Sequence, residues 1–239
     1  MLRLLRLFQD HEMIRVNQVA RDMGLSRSTV HRMLATLSHH DFVEQDEFSR
    51  AYKPGPALVD IGLSVVQNID VRALSHGMLV QLRDLTNETT HLATLRGTDV
   101  IYLDSVESNQ GVRTGSRMGW VLPAHATAAG KALLAEKNDA ELAALYPTGR
   151  LPAATSRAIT TLDELREHLT EVRHLGYAMN KAESEDDVSA VATVVRDNRG
   201  RVRGAIAATA PRSRCDDAWF KSTATATMSV AHQLGQLTG

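Results

Sequence analysis

Arg27, Ser28, His31 and Arg32 fall in the run SRSTVHRMLATL. On a helix, Arg27 with His31 and Ser28 with Arg32 are neighbours one turn apart, so all four share one broad face. A guanidinium is a planar multi-donor fork that fits the acceptor pair of guanine or the oxygens of a phosphate, and serine and imidazole add shorter donors and acceptors. The chemistry implied is recognition of duplex DNA by Ser26, Arg27, Ser28, His31 and Arg32, with Arg27 and Arg32 the strongest readers. Arg50 and Lys53, a little downstream, suit phosphate contacts that set register.

These side chains need elements that hold them outward. In VNQVARDMGL, residues Val16, Val19, Ala20 and Met23 line one helical face, Gly24 permits a left-handed turn and Leu25 points back inward. Ser26 suits the cap of a second helix whose Val30, Leu34 and Leu37 repeat at helical spacing. FVEQD, EFSR and AYKP then read as two short strands around a polar turn, a wing, and amphipathic MLRLLRLFQ supplies a first helix over Met1–Gln9. A winged helix-turn-helix offers the outer face of its second helix to the major groove. An ordinary small three-helix domain with a polar face is the alternative.

Gross composition narrows the field. The 239 residues allow two domains, and 43% hydrophobic with 23% charged residues is the composition of a soluble globular chain. No apolar run approaches the roughly 20 residues a membrane span needs, and no basic-then-apolar signal opens the chain. The single Cys215 excludes an intramolecular disulfide framework, and a reducing cytoplasm is the expected compartment. A net charge of −1 argues against indiscriminate coating of nucleic acid. The first helices nevertheless concentrate Arg3, Arg6, Arg15, Arg21, Arg27 and Arg32, so one face can be basic and its DNA binding salt-dependent.

The organisation expected is a DNA-binding domain over 1–55, a linker helix over 56–69 and a second domain over 70–239. Lys53-Pro54-Gly55-Pro56 closes the wing; a linker helix follows over Ala57–Gln67 and another helix from about Val71 to Leu85. THLATLRGTDVIYLDSVES and VSAVATVVRDNRGRVRGAIAATAP alternate around Gly-containing turns and read as hairpins. Helices are expected over Gly130–Glu136, Ala140–Leu145, Leu162–Leu175 and Trp219–Leu237, the third with a Thr161/Glu164 capping box and Gly176 as its stop. Antiparallel hairpins with helices laid on them make an α+β domain.

Several tempting motifs fail. LPAHATAAGKALLA resembles a phosphate-binding loop at Gly130-Lys131, but His125 stands where the first glycine is required and Ala132 where a Ser or Thr is required. Ten histidines are scattered without metal-ligand spacing, and Asp104 and Glu107 lack a catalytic partner in the sequence. No metal, cofactor or catalytic residue is expected.

In GLSRSTVHRMLATL, YKPGPALVDIG, THLATLRGTDVIYLDSVES, LPAHATAAGKALLA, EVRHLGYAMNKAE and VRDNRGRVRGAIAATAP, the chain resembles the IclR family of bacterial transcriptional regulators over essentially its full length. The resemblance implies a winged helix-turn-helix joined by a helix to a GAF-like effector-binding domain, in a homodimer or homotetramer that binds an operator in double-stranded DNA, usually as a repressor controlled by a small organic acid. Carried over by position, it implies an effector pocket at Gly111, Thr114, Leu122, Ala128, Ala129, Asn180, Val188, Ala190, Ala207 and Thr209. Small side chains there leave volume, Thr127, Asn180 and Thr209 are polar anchors, and backbone N–H groups near Gly130 suit an anion. The acidic run Glu183, Ser184, Glu185, Asp186, Asp187 beside it reads as a solvated loop. A small-molecule enzyme with an appended DNA-binding domain and a ligand-independent architectural protein are the competing functions.

Overall fold

Gly24 sits at φ 65°, in the left-handed region that a side chain would strain, and it closes helix α2 (Val16–Met23) with N–H bonds to Ala20 and Arg21 carbonyls. Two residues later Ser26 opens α3 (Arg27–His39), its Oγ accepting from the Thr29 N–H at 3.2 Å. The computed structural model describes residues 2–9 and 11–238 and divides into two units, Met1–Ile69 and Asp70–Gly239.

In the first unit Val30, Leu34 and Leu37 on α3 pack with Leu4, Ile14, Val19, Ala20, Val43 and Tyr52 into one core. Strands β1 (Val43–Gln45) and β2 (Tyr52–Pro54) pair antiparallel to form the wing, and Tyr52 also bridges Ile14. Between them the Asp46 carboxylate accepts from the Ser49 N–H and hydroxyl, both at 2.7 Å, and these bonds hold its pKa below the ordinary value. The expected first helix is shorter than its amphipathic pattern: α1 covers only Leu2–Leu5 and passes into a 3-10 turn over Arg6–Gln9. A single turn with so few bonds tightens readily into 3-10 geometry.

Helix α4 runs unbroken over Pro56–Thr86, which corrects the expectation of two helices at Ala57–Gln67 and Val71–Leu85. Asn68, Ile69 and Asp70 include neither proline nor glycine, so the pause in hydrophobicity there is not a pause in helix. Pro56 starts it where its missing N–H costs nothing. Gly55 precedes it because a Cβ there would lie 2.2 Å from the Asp41 carbonyl oxygen.

The second unit is built on a six-stranded antiparallel sheet of order β5-β4-β3-β8-β7-β6, from β3 (Thr89–Arg96), β4 (Asp99–Val106), β5 (Val121–Pro123), β6 (Ala178–Lys181), β7 (Val188–Arg196) and β8 (Val202–Pro211). Both expected hairpins are present as β3–β4 and β7–β8. Alternate residues face two cores. Ala93, Tyr102, Ala178, Ala190, Ala192, Ala205 and Ala207 meet α5 (Ala128–Leu134), α6 (Asp139–Leu145) and α7 (Leu162–Leu175). Leu92, Val195 and Ile206 meet Leu79 and Leu82 of α4 and Val230, Ala231 and Leu234 of α8 (Asp217–Leu237). The α+β class expected from the hairpins is the one observed. Helix α7 begins at the Thr161/Glu164 capping box and stops at Gly176, φ 79°, as its sequence dictates. No helix among the described residues is long and apolar enough to cross a membrane.

Candidate functional site

Burial of one side of α3 fixes what its other side presents. Arg27, Ser28, His31 and Arg32 are exposed on the first turns of that helix, over a core made by Val30, Leu34 and Leu37. Ser26 stands with them but its hydroxyl is engaged, bonded to the Thr29 N–H, to Thr29 Oγ1 at 2.8 Å and to Ser28 Oγ at 3.0 Å. Its part is to start the helix. On the wing, Arg50 is exposed with φ 56°, and Lys53 lies opposite Glu44 with Nζ 3.2 Å from its Oε2. Both are exposed surface cations, Lys53 partly neutralised by its neighbour.

The second constellation lies on the alanine-rich sheet face. Cross-strand pairing sets Asn180 beside Ala190, Ala190 beside Thr209 and Thr209 beside Thr89, and Ala207 is flanked by Ala192 and His91. Thr209 is the hub: its hydroxyl lies 2.8 Å from Thr114 Oγ1 and 3.0 Å from His91 Nε2, and donates to the Thr89 carbonyl at 3.2 Å. Thr114 is tied down further by Thr89, whose Oγ1 donates to the Thr114 carbonyl at 2.6 Å. Asn180, Ala190, Ala207 and Thr209 therefore share one sheet face, Thr114 is bonded to it from the segment between β4 and β5, and Ala128 and Ala129 are buried on the helix that covers it. Leu122 is half-buried on β5 opposite Val100, and Gly111 is exposed in the segment between β4 and β5.

Two expected anchors are already occupied. Asn180 Nδ2 donates to the Ala126 carbonyl at 3.1 Å and to Ser184 Oγ at 2.8 Å, while its Oδ1 accepts from the Glu183 N–H at 2.8 Å. Thr127 caps α5, accepting from the Gly130 N–H at 3.0 Å. The anion seat expected at Gly130 is thus filled by the chain itself. A Cβ at Gly130 would lie 2.1 Å from the Ala124 carbonyl oxygen, so this glycine serves close packing. Of the acidic run, Glu185, Asp186 and Asp187 are exposed as expected, whereas Glu183 is buried, with Oε2 2.5 Å from Nζ of buried Lys131. Burial is the main force pushing the Lys131 pKa down, and Glu183 pulls against it.

A cavity of about 340 Å³ opens beside this face, walled by Arg113, Thr114, Arg117, Trp120, Glu185 and Val188. Arg117 is only 5% exposed, with Nη2 2.6 Å from Glu185 Oε1 and its guanidinium carbon 5.9 Å from the Trp120 ring centre. Hydrophobic periodicity could not reveal Arg117, because SRMGW lies between strands in a stretch with no period. A larger cleft of about 560 Å³ is lined by Arg173, Arg196 and His232 among others, but its arginines are engaged: Arg173 donates to the Ala135 and Lys137 carbonyls, and Arg196 pairs with Glu136. Cys215 is half-buried and burial raises its thiol to about 11, which leaves it unreactive. Among the described residues no group of three or more His, Cys, Asp or Glu side chains is placed to hold a metal ion.

His91 is fully buried against Tyr102, ring centres 5.2 Å apart, and its Nδ1 has no hydrogen-bond partner. Burial, helped by the charge of Arg117, lowers its pKa from 6.5 to about 3, so it is neutral in the folded chain at ordinary pH. Unfolded, it takes a proton near pH 6.5. Above that pH neither state is charged and His91 contributes no slope; below it the unfolded state binds the extra proton, and stability falls by about 1.4 kcal/mol per pH unit towards pH 3. Urea melts from pH 7 to 4 will show this component in the native chain and lose it in His91→Gln. An unchanged slope in the variant would place the responsible proton elsewhere.

The model of the IclR helix-turn-helix domain matches residues 1–47, and that of the bacterial transcriptional regulator IclR C-terminal region matches residues 63–236. The chain belongs to the IclR family of bacterial transcriptional regulators. It is similar to the HTH-type transcriptional regulator XynR of Escherichia coli (strain K12), 35% identical over 91% of this chain and 86% of XynR. Among solved structures it is similar to a putative IclR transcriptional regulator from Silicibacter sp., with TM-score 0.68 and 28% identity over 100% of this chain and 94% of that one. An IclR homologue from Microbacterium hydrocarbonoxydans, solved in complex with 4-hydroxybenzoate, shares the fold at TM-score 0.62 and 21% identity over 94% of this chain and 92% of its own. The IclR regulator architecture of a helix-turn-helix followed by an antiparallel-sheet domain is therefore shared over the whole length.

Proposed function

We propose that this IclR regulator binds a two-fold operator as a homo-oligomer through Arg27, Ser28, His31 and Arg32, and that a small organic acid received by the Asp70–Gly239 unit alters that binding. The observation that carries the reading is the exposed donor face of α3 opposite the buried Val30, Leu34 and Leu37. Arg50 and Lys53 on the wing hold phosphates. Thr114, Val188 and the cavity beside them support a pocket, as does the bound 4-hydroxybenzoate of the Microbacterium homologue. Repression is the sign that the family resemblance implies, and sensing without turnover is favoured over catalysis because the buried groups here are locked in mutual hydrogen bonds rather than arranged as nucleophile and base.

Footprinting on selected binding sequences tests this directly. Protection is expected over inverted half-sites about 10 bp apart, or a multiple of that, with an isolated half-site bound far more weakly. Full affinity for a single half-site would overturn the two-fold operator. Incubation with candidate acids separates the sensor from an enzyme: a raised melting temperature without consumption of the acid supports sensing, and turnover refutes it.

A further inference from the structure

Arg117 is an anomaly of charge and burial. Its side chain is 6% exposed, whereas the carboxylate that neutralises it, Glu185, is 45% exposed on the loop before β7. A buried guanidinium is costly without an anion, so the fold demands a carboxylate at this spot. The one supplied is itself half in water on a surface loop, so another carboxylate can take its place without leaving the guanidinium unpaired. The pair forms part of the wall of the 340 Å³ cavity, whose lining also includes Thr114, Trp120 and Val188. Behind Arg117, burial keeps His91 neutral, with Nδ1 unpartnered. The remaining charges on the rim are exposed: Arg113 is paired with Glu107 at 2.9 Å, and Asp187 stands in solvent.

We propose that Arg117 is the seat for the carboxylate of a small acid and that Glu185 is an internal stand-in which occupies the seat until such an acid displaces it. This deepens the reading of the domain as a sensor and names the group that recognises the acid. A guanidinium binds carboxylates through a fork of donors, and the cavity beside it takes a compact apolar or hydroxylated body. Displacement frees the Glu185 loop, so occupancy of the seat is coupled to the position of the loop that leads into β7. The tethered carboxylate sets a threshold, because an incoming acid competes with a group held at high effective concentration.

Removal of the stand-in is the test. Glu185→Ala leaves the seat open, and acetate or benzoate should bind the full-length variant at least tenfold more tightly than the native chain in calorimetric titration, with a saturable rise in melting temperature. Acetamide and benzamide, which lack the charge, should do neither. Arg117→Met/Glu185→Ala removes both charges, leaves no unpaired ion in the interior and should bind neither acid. Equal acid affinity in the native chain and Glu185→Ala, or undiminished binding by the double variant, would overturn the seat. Operator affinity separates this from the wider reading. If acetate binds Glu185→Ala through Arg117 and no acid alters DNA binding, the seat stands and effector control falls. If an acid alters DNA binding equally in the native chain and the double variant, effector control stands and the seat falls.

Discussion

Arg27→Ala will lose about 1–3 kcal/mol of discrimination between the cognate operator and a sequence altered at the contacted guanine, roughly 5- to 150-fold in relative affinity. The reason lies in geometry. Arg27 is exposed on the first turn of α3, whose register is fixed by the Ser26 cap and whose opposite side is pinned by Val30, Leu34 and Leu37. The helix backbone that carries Arg27 is already ordered, so only the side chain itself has to be fixed on a base edge. Arg32 is exposed one turn further along and belongs to the same test. Lys53→Ala should behave differently, weakening all sequences alike and lowering the salt dependence, because a phosphate contact carries no base information. Competition anisotropy with cognate and mutated duplexes, repeated at two salt concentrations, distinguishes the two patterns. Unchanged sequence preference in both Arg27→Ala and Arg32→Ala would remove α3 from the reading surface.

Lys131→Met will destabilise the second unit by about 3–5 kcal/mol, since it leaves the Glu183 carboxylate buried without its cation. Glu183→Leu should cost a similar amount by stranding the ammonium. The double variant Lys131→Met/Glu183→Leu should recover most of the loss, because two apolar side chains of similar bulk need no counter-charge. Urea unfolding of the three variants supplies the cycle. Additive losses in the double variant would show that the two groups act separately, and native stability in the single variants would show that water reaches the pair.

The parts legible in the sequence are those dictated locally. Ser26 and the Thr161/Glu164 box announce a helix start by side-chain capping, Gly24 and Gly176 announce a stop by the positive φ that glycine allows, and the helices begin and end there. Alternation gave away the two long hairpins. The short wing strands β1 and β2 showed through the polar turn between them, but β5 and β6 did not: they hold too few residues for a period to register, and they exist because longer neighbours template them. The exposed side of α3 that we propose reads DNA was legible for the same local reason, since Arg27, Ser28, His31 and Arg32 all lie on that one helix. The effector region was legible only in part. Asn180, Ala190, Ala207 and Thr209 do share a sheet face and Thr114 is bonded to it, yet Asn180 and Thr127 are committed to holding the fold. Arg117 and Glu185, far apart along the chain, meet through tertiary folding that no spacing rule contains. Glu183 looked solvated among acidic neighbours because nothing nearby in sequence reveals that Lys131 lies against it.

The two margins of the sheet are also instructive. One margin is a three-residue strand ending in Pro123, which has no N–H to offer, and the other is the four-residue β6. Neither provides the long run of unpaired donors and acceptors on which a neighbouring backbone could build. Strand addition by another copy at β5 or β6 is thereby disfavoured.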